Sequence, residues 1–283
     1  MTNRNVTQQD IQAAIRELGL SGRPLCVHSS LRSFGWVDGG ADTVIDALLA
    51  EGCTVLAPTM SWHFEVGPPA HLRPVRNGRD YEKWDREHPD GAGRDASLIY
   101  TPESNEISAK WMGAIPVVLL QRPDRQRGND PMGSFSAVGP LARELVHEQT
   151  ARDPFAQFRA LAEHSGSVVL MGVGLDRLTL LHQAEELAGR NLFMRWANDA
   201  NGVPAPVYRG GCSAGFTRLE PFLAHLIRET TVGVSLWKVL PVRETVGAAS
   251  EVIRNRPEIT HCDDPECRDC NDAVLGGPIL DGF

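Results

Sequence analysis

The sequence predicts an α/β fold, as a single domain with a central mixed or largely parallel sheet covered by helices. Apolar strand-like runs alternate with helical patterns, which is the order typical of βαβ units. The chain has 283 residues, of which 42% are hydrophobic, enough to bury one large core. Residues 61–108 follow neither pattern and are rich in proline, glycine and charge. We therefore expect residues 1–283 to form one domain that carries 61–108 as a long inserted loop region.

The elements follow in chain order. "IQAAIREL" has the 3.6-residue period of a helix, and "RPLCVHSS" after it is a strand. "TVIDALLAEG" is a second helix, which Gly52 closes, and "CTVLAPTM" is a second strand. This βαβ order predicts parallel neighbouring strands. Further along, "SVVLMGVG" is a strand, and the helix of "LDRLTLLHQAEELA" follows it with Asp176 and Thr179 as candidate first residues.

Composition and charge narrow the class of protein. The first residues, "MTNRNVTQQD", lack the apolar core of a signal peptide, and no run of about 18 apolar residues could span a bilayer. We therefore expect a cytoplasmic protein without a membrane partner. The net charge of -8 disfavours a nucleic-acid partner and is compatible with a cationic ligand. The sequence does not specify an oligomeric state.

A histidine and a carboxylate lie close together near the start of a predicted helix. His182 and Glu185 are three positions apart in "TLLHQAEELAGR", so both side chains lie on one helix face. A carboxylate beside an imidazole can orient it and stabilise the imidazolium that forms when a proton is taken. The spacing indicates a candidate general base.

A strand that ends in two serines and a glycine-bearing turn suggests a cofactor site. "VHSSLRSFGWVDGG" brings hydroxyls and backbone N–H groups to a strand-to-helix crossing. Such groups suit an anionic or amide-rich ligand, for example the pantetheine and phosphates of coenzyme A. The segment has neither the GxxxxGK[ST] of a Walker loop nor GxGxxG.

Three blocks of sequence together resemble one enzyme family. "VHSSLRSFGWVDGGADTVIDAL", "SFSAVGP" and "LMGVGLDRLTLLHQAE" are similar, in order and separation, to signatures of the aminoglycoside 3-N-acetyltransferases, which are unrelated in fold to the GNAT acetyltransferases. The resemblance runs from about Gln9 to Pro221 and is suggestive of the apramycin-acetylating branch. It implies transfer of acetyl from acetyl-CoA to the 3-amine of a 2-deoxystreptamine aminoglycoside, which confers antibiotic resistance.

The resemblance also implies roles for particular residues. His182 matches the family's histidine and Glu185 its glutamate, in a direct transfer with His182 as the general base. Asp130, in "NDPMGSF", stands where the family usually has a histidine, which puts any role for that position in doubt. The residues implied in acetyl-CoA binding are Ser29, Ser30 and Leu31 for the pantetheine and diphosphate, and Ser134 and Phe135 for the thioester end. Ser134 or neighbouring backbone N–H groups are candidate donors to the oxyanion.

The acceptor is expected to be held by the inserted loop region. A polycation needs carboxylates around a cleft, and aromatic rings can stack on sugar faces. Residues 61–108 offer both, and we expect this region to line the acceptor cleft. The selected substrate-binding candidates are Trp62, Glu65, Tyr81 and Asp85, with Phe64, Asp80, Glu82 and Trp84 as further members of the same set.

The C-terminal cysteines are typical of a metal site. "HCDDPECRDC" contains a C-x-x-C pair, and "RGGC" supplies a third thiol from a distant segment. Three thiolates and one imidazole make a closed tetrahedral zinc site, which would be structural and would hold the tail 255–283 on the body. The predicted ligands are Cys212, His261, Cys267 and Cys270, with Cys262 as the alternative to His261.

Several alternatives remain open from the residues alone. The chain could be an N-acetyltransferase of the same family that acts on another amino sugar or biosynthetic amine. A zinc amidohydrolase needs an open metal position, and a CoA-binding protein without activity gives no reason for the pair of His182 and Glu185. An acyl-enzyme on Cys26 or on a serine is less economical, because that thiol is predicted inside a strand and no serine lies in a G-x-S-x-G elbow.

Overall fold

The computed structural model describes residues 5–88 and 95–280. No helix within these ranges is both long enough and apolar enough to cross a membrane. The helices are α1 Gln8–Glu17, α2 Gly40–Ala50, α3 Tyr81–Glu87, α4 Ala109–Met112, α5 Ala114–Leu120, α6 Ala142–Val146, α7 Ala156–Glu163, α8 Leu180–Leu187, α9 Glu220–Leu223, α10 Val242–Asn255 and α11 Arg268–Val274. The strands are β1 Pro24–Ser29, β2 Thr54–Pro58, β3 Gln126–Arg127, β4 Phe135–Val138, β5 Ser167–Met171, β6 Phe193–Asn198, β7 Pro204–Arg209, β8 Arg228–Val232 and β9 Ser235–Pro241.

The central sheet has seven strands in the order β3-β4-β2-β1-β5-β9-β8. β1 is parallel to β2 on one side and to β5 on the other, with Val27 opposite Val169. The outer pairs are antiparallel. The predicted α/β class is confirmed, and the sheet is mixed, because only the three central strands are parallel.

The three central strands are buried on both faces, and this explains their nearly continuous apolar sequence. Alternate residues of β1 point to opposite faces, so Val27 packs in one half of the core and Cys26 in the other. The first half is covered by α1, α2 and α5, and the second by α7, α8 and α10. The helix α8 therefore lies against the sheet beside the end of β5.

A second, two-stranded sheet pairs β6 with β7 in antiparallel fashion. The described part of the inserted region packs on this hairpin through bridges from Glu65 to Ala197 and from Ile99 to Asn198. The tail adds to the same layer, since Val75 bridges to Ile279. The insertion and the C-terminal tail therefore form one layer with the hairpin.

Candidate functional site

A groove of about 1480 Å³ opens where the central strands end. β1 ends at Ser29, β2 at Pro58, and β5 is followed by Gly172, and all three residues line the groove. β1 has its parallel partners on opposite sides, and open α/β sheets bind ligands outside the carboxyl ends of their strands at such a point. The fold thus predicts a binding site here.

His182 lies on the wall of this groove, in the first turn of α8. Thr179 is the residue before the helix, but its side chain makes no capping hydrogen bond, and Asp176 lies in the preceding 3₁₀ turn. The His182 ring packs edge-on against Phe216 at a centroid distance of 4.8 Å. On its other side is Gly210, where an added Cβ would lie 2.1 Å from His182 Cγ. The imidazole ring is therefore packed between the Phe216 ring and the backbone of Gly210, which has no side chain.

Glu185 fixes the orientation of His182. Its Oε2 lies 2.7 Å from His182 Nδ1, and both side chains are almost fully buried. An ionised carboxylate can only accept, so the network assigns the proton to Nδ1 and leaves Nε2 as the basic nitrogen. The other oxygen, Oε1, is ion-paired with Arg190 and accepts a 3.2 Å hydrogen bond from Thr260 Oγ1. Arg190 also donates to Thr260 Oγ1 at 2.7 Å, which closes the network.

Most of the residues predicted to bind acetyl-CoA line the groove. Ser29, Ser30, Leu31 and Phe135 all do so. Ser29 Oγ is buried and has no hydrogen-bond partner among the described residues, so it is available to a ligand.

Ser134 is placed differently from its neighbour Phe135. It is fully buried and does not line the groove. Its hydroxyl accepts a hydrogen bond from Arg127 Nε at 3.0 Å and donates to the Thr59 carbonyl at 3.2 Å. A residue on a strand alternates in direction with the next, and Ser134 points away from the site that Phe135 faces.

One stretch of the groove is basic and aromatic. Arg32 and Lys110 line it together with Trp36 and Trp111. The two indoles are 67% and 61% exposed, respectively, although they are among the largest apolar side chains of the protein. Exposed aromatic rings beside cations suit a ligand that has both a flat ring and phosphates.

Of the acceptor-binding candidates in the described part of 61–108, Trp62 alone lines the groove. Glu65 is ion-paired with Arg79 at 2.6 Å. Asp85 forms a two-pronged pair with Arg73 at 2.7 and 2.8 Å, which holds the pKa of Asp85 below its usual range. Tyr81 Oη accepts a 2.6 Å hydrogen bond from Asn77.

Glu65 and Asp85 are therefore neutralised by arginines of the same segment. Sequence composition could not reveal these pairings, because they depend on how the segment folds back on itself.

Asp130 lies beneath the groove wall. It is fully buried, and its Oδ1 accepts hydrogen bonds from the backbone N–H groups of Met132 at 3.0 Å and Gly133 at 2.7 Å. Its Oδ2 has no hydrogen-bond partner among the described residues. Burial raises the pKa of Asp130 to about 6. In this position the carboxyl shapes the turn that carries Gly133, which does line the groove.

Four cysteines form a compact cluster near the C-terminal tail. The sulfur atoms of Cys212, Cys262, Cys267 and Cys270 all lie within 4.8 Å of one another. The Cys262 backbone N–H donates to Cys270 Sγ at 3.3 Å. The Cys270 thiol donates to Cys212, which lowers the pKa of the Cys212 thiol to about 5 and raises that of Cys270. Four convergent sulfurs fit a closed, tetrahedral zinc site.

His261 lies outside this cluster. Its Nδ1 is 2.8 Å from the carbonyl oxygen of Cys262, and its Nε2 is 3.0 Å from Asn271 Oδ1. The geometry thus replaces His261 by Cys262 as the fourth member of the set. Neighbouring residues in a loop point in different directions, and the sequence could not decide between them.

Other residues of the site were not among those predicted. Gly210 and Phe216 pack on the imidazole, and Arg190 and Thr260 hold its carboxylate. Arg190 follows Glu185 by five positions, just after the end of α8, so its proximity could have been inferred. Thr260 is 75 residues away from Glu185, and no local spacing signals that contact.

The fold is that of known acetyltransferases. The chain superimposes on a variant of aminoglycoside acetyltransferase AAC(3)-IVa in complex with gentamicin, with a TM-score of 0.73 and 21% identity, over 98% of this chain and 99% of that one. It also superimposes on aminoglycoside acetyltransferase AAC(3)-Xa, with a TM-score of 0.71 and 25% identity, over 92% of this chain and 95% of that one.

The chain belongs to the aminoglycoside 3-N-acetyltransferase family, whose model matches residues 26–254. It is 35% identical to aminoglycoside N(3)-acetyltransferase IX of Micromonospora chalcea, over 65% of this chain and 63% of that relative. It is 31% identical to aminoglycoside N(3)-acetyltransferase III of Enterobacter cloacae, over 70% and 73%, respectively. The family predicted from the three sequence blocks is confirmed.

Proposed function

We propose that the protein is an acetyl-CoA-dependent N-acetyltransferase that acetylates the 3-amine of a 2-deoxystreptamine aminoglycoside and thereby confers resistance. The observation that carries this proposal is the His182–Glu185–Arg190 network on the wall of the groove, in a chain of this family. An oriented imidazole with a free Nε2 is the group that amine acylation requires.

The chemistry follows from the arrangement. An aminoglycoside amine is largely protonated near neutral pH, so the ammonium first loses one proton to water, which frees the nitrogen lone pair for attack on the thioester carbonyl. His182 Nε2 takes a second proton from the nitrogen as the C–N bond forms, and the imidazolium is stabilised by Glu185. The C–S bond then breaks, and the imidazolium gives this proton to the departing CoA thiolate, so that CoA leaves as the free thiol. Ser134 is engaged by Arg127 and Thr59, so we assign oxyanion stabilisation to backbone N–H groups of the groove.

The groove supports acetyl-CoA as the acetyl donor. The end of β1 and the following turn offer Ser29 and Ser30 to the amides of the pantetheine. Arg32 and Lys110 supply positive charge for phosphates in a protein whose net charge is -8. Local charge of the opposite sign to the whole chain is favourable for an anionic cosubstrate.

A second candidate is the transfer of acetyl to another amino sugar or biosynthetic amine. The observation that favours it is the pairing of Glu65 with Arg79 and of Asp85 with Arg73. These acids are not free to bind the ammonium groups of a polycation. The catalytic steps are the same for either acceptor.

We also propose that Cys212, Cys262, Cys267 and Cys270 hold a structural zinc ion. Four thiolates leave no open position for a substrate, so this site suits stability rather than an amidohydrolase reaction. Zinc bound here would link Cys212 to the cysteines of the tail 255–283.

The test is release of free CoA from acetyl-CoA by the purified protein, with apramycin, gentamicin, kanamycin, or no acceptor. Turnover with one or more aminoglycosides, and none without an acceptor, is expected. If CoA binds but no aminoglycoside is acetylated, the resistance function is refuted and the second candidate takes its place. If CoA does not bind, both proposals fail.

A further inference from the structure

A second imidazole lines the groove, from the end of β1. His28 is the last residue but one of this strand, and it is only 5% exposed. Alternate side chains of a strand point to the same face, so His28 lies on the same face of the sheet as Cys26. Cys26 packs in the half of the core that α8 covers, and α8 carries His182. The two imidazoles therefore line one groove from the same side of the sheet.

Cys26 contacts one ring nitrogen of His28. The Nε2 atom lies 3.7 Å from Cys26 Sγ, and both side chains are buried. Burial raises the pKa of the Cys26 thiol, so the sulfur keeps its proton. The sulfur is only a weak acceptor, whereas the unprotonated nitrogen of a neutral imidazole accepts well, so the S–H donates to Nε2. This contact assigns the ring proton to Nδ1.

The other ring nitrogen of His28, Nδ1, is left for a ligand. It makes no hydrogen bond with a residue of 5–88 or 95–280, and it is not among the enclosed polar atoms that lack a partner there. It is therefore reachable from the groove that His28 lines. Burial also lowers the pKa of His28 to about 4, so the ring is neutral near pH 7. Such a ring presents a hydrogen-bond donor, not a base, to the groove.

Acetyl transfer requires a donor of this kind. As the amine lone pair forms the C–N bond, the π electrons of the thioester C=O move onto the oxygen. The negative charge is stabilised best by donors that are already oriented in a site from which water is largely excluded. The His28 ring meets this condition, because Cys26 contacts its Nε2 and Phe135 packs edge-on against it at a centroid distance of 6.5 Å.

We propose that His28 Nδ1–H donates a hydrogen bond to the thioester oxygen of acetyl-CoA in the transition state, and that Cys26 positions His28 by fixing its tautomer. The proton stays on Nδ1 throughout, and the electron pair on the oxygen re-forms the C=O bond when the C–S bond breaks. This inference rests on the proposed acetyl transfer and adds a side-chain donor to the backbone N–H groups assigned to the oxyanion. The two imidazoles then differ in role, since His182 accepts a proton and His28 only shares one.

Substitutions at His28 test the role by thiol release with gentamicin and with apramycin. His28→Leu should lower kcat by about 10²- to 10³-fold, with little change in the KM for acetyl-CoA, because the bond strengthens only as charge develops on the oxygen. His28→Asn should retain part of the rate, since its amide N–H₂ is attached to Cγ as Nδ1 is. His225→Leu, at an exposed position, is the control and should match the wild type.

Two substitutions at Cys26 test the positioning. Cys26→Ala removes the S–H and should lower kcat, though by less than His28→Leu does. Cys26→Ser keeps a donor at this place and should stay close to the wild-type rate. The tautomer is measured by ¹⁵N NMR of the His28 ring, which should carry its proton on Nδ1 in the wild type and in Cys26→Ser.

A bound carbonyl group reports on the donor without any acceptor. Acetyldethia-CoA is a ketone in which a methylene group replaces the sulfur, so it cannot transfer its acetyl group. Its infrared C=O stretch should fall in frequency on binding to the wild-type protein, and fall less on binding to His28→Leu. His182→Ala should give the wild-type frequency although its turnover is low, because His182 acts on the amine. If His28→Leu does not fold, His28→Asn and Cys26→Ala carry the same measurements.

Three results overturn the inference while acetyl transfer itself stands. One is an unchanged kcat in His28→Leu. Another is an equal carbonyl frequency in the wild type and in His28→Leu, which would make any loss of turnover a structural effect. The third is a His28 ring protonated on Nε2 in the wild type. If the wild-type protein neither binds acetyldethia-CoA nor releases thiol with gentamicin or apramycin, the proposed function falls as well.

Discussion

The imidazole centre, formed by His182 and Glu185, and the cysteine cluster lie at opposite ends of one short segment, 210–212. They differ in whether a group remains available to a ligand. At one end Gly210 packs on His182, whose Nε2 has no hydrogen-bond partner within residues 5–88 and 95–280 and lies at the groove. At the other end Cys212 joins three thiols that face one another. In the imidazole centre Glu185 occupies Nδ1, and Nε2 is left for the substrate. In the cysteine cluster all four sulfur atoms converge, and none is left for a substrate.

This difference separates reactivity from stability. A catalytic base needs fixed orientation and one free lone pair, whereas a structural metal site needs a complete set of donors. Both centres contact the same short backbone segment. We therefore expect a substitution in one centre to displace atoms of the other through Gly210 and Gly211. The predictions below test how far that coupling extends.

The largest effect is expected from removal of the base. His182→Ala should lower kcat by about 10²- to 10⁴-fold, because His182 is the imidazole of the groove wall that a carboxylate holds in orientation. Thiol release at saturating acceptor measures this, and the affinity for CoA should stay near that of the wild type. Near-normal turnover with intact CoA binding would contradict the role of His182.

Loss of one cysteine of the cluster should lower the stability of the protein more than its activity. Cys262→Ser should lower the bound zinc and reduce the melting temperature by roughly 5 °C or more, because loss of a structural ligand removes folding energy. Cys53→Ser is the control, since Cys53 is a buried free thiol that is not a member of the cluster. Turnover at low temperature should fall only slightly. Abolished turnover with an unchanged melting temperature would refute the structural assignment.

The link between the two centres can be tested at Gly210. Gly210→Ala should lower kcat/KM by roughly 10- to 100-fold, because the new methyl group meets the His182 ring and must displace it. Gly247→Ala is the control, since a Cβ there meets no atom within 4 Å. Equal activity of the two variants would mean that the packing on the imidazole is not needed for catalysis.

The last effect concerns pH and stability. His28 is buried at the groove, and burial lowers its pKa to about 4 from the usual 6.5. Its contribution to stability is full above pH 6.5 and is lost as the pH falls towards 4, because the unfolded chain binds the proton first. The change is at most roughly 3 kcal/mol.

His28→Gln should reduce this acid loss in chemical denaturation between pH 7 and 4. The control is His225→Gln, at an exposed position. Asp130 acts with the opposite sign, since burial raises its pKa and the folded chain binds its proton first. It is present in every variant, so the comparison isolates His28. Identical pH profiles for His28→Gln and the wild type would contradict the assignment.

The parts of the molecule that could be predicted from the sequence are those fixed by local pattern. The parallel central strands follow from their apolar runs, and the pair of His182 and Glu185 follows from helical spacing. The approach of Ser29 to the groove follows from the end of its strand.

Long-range contacts could not be predicted in this way. The neutralisation of Asp85 by Arg73 and the choice of Cys262 over His261 depend on the folded path of irregular segments. The strands β6 and β7 were missed as well. Their pairing with each other and with the insertion is stabilised by tertiary contacts rather than by a strong local pattern.

The contact of Thr260 with Glu185 has a consequence for the order in which the protein is made. The sheet strands from β1 to β9 all precede residue 242, and the helix that carries His182 ends at Leu187. The Thr260 hydroxyl, which helps to hold the carboxylate of Glu185, leaves the ribosome more than seventy residues later. A nascent chain can therefore assemble β1 to β9 before the imidazole is fully held in place, and the network around His182 is complete only after Thr260 has been made.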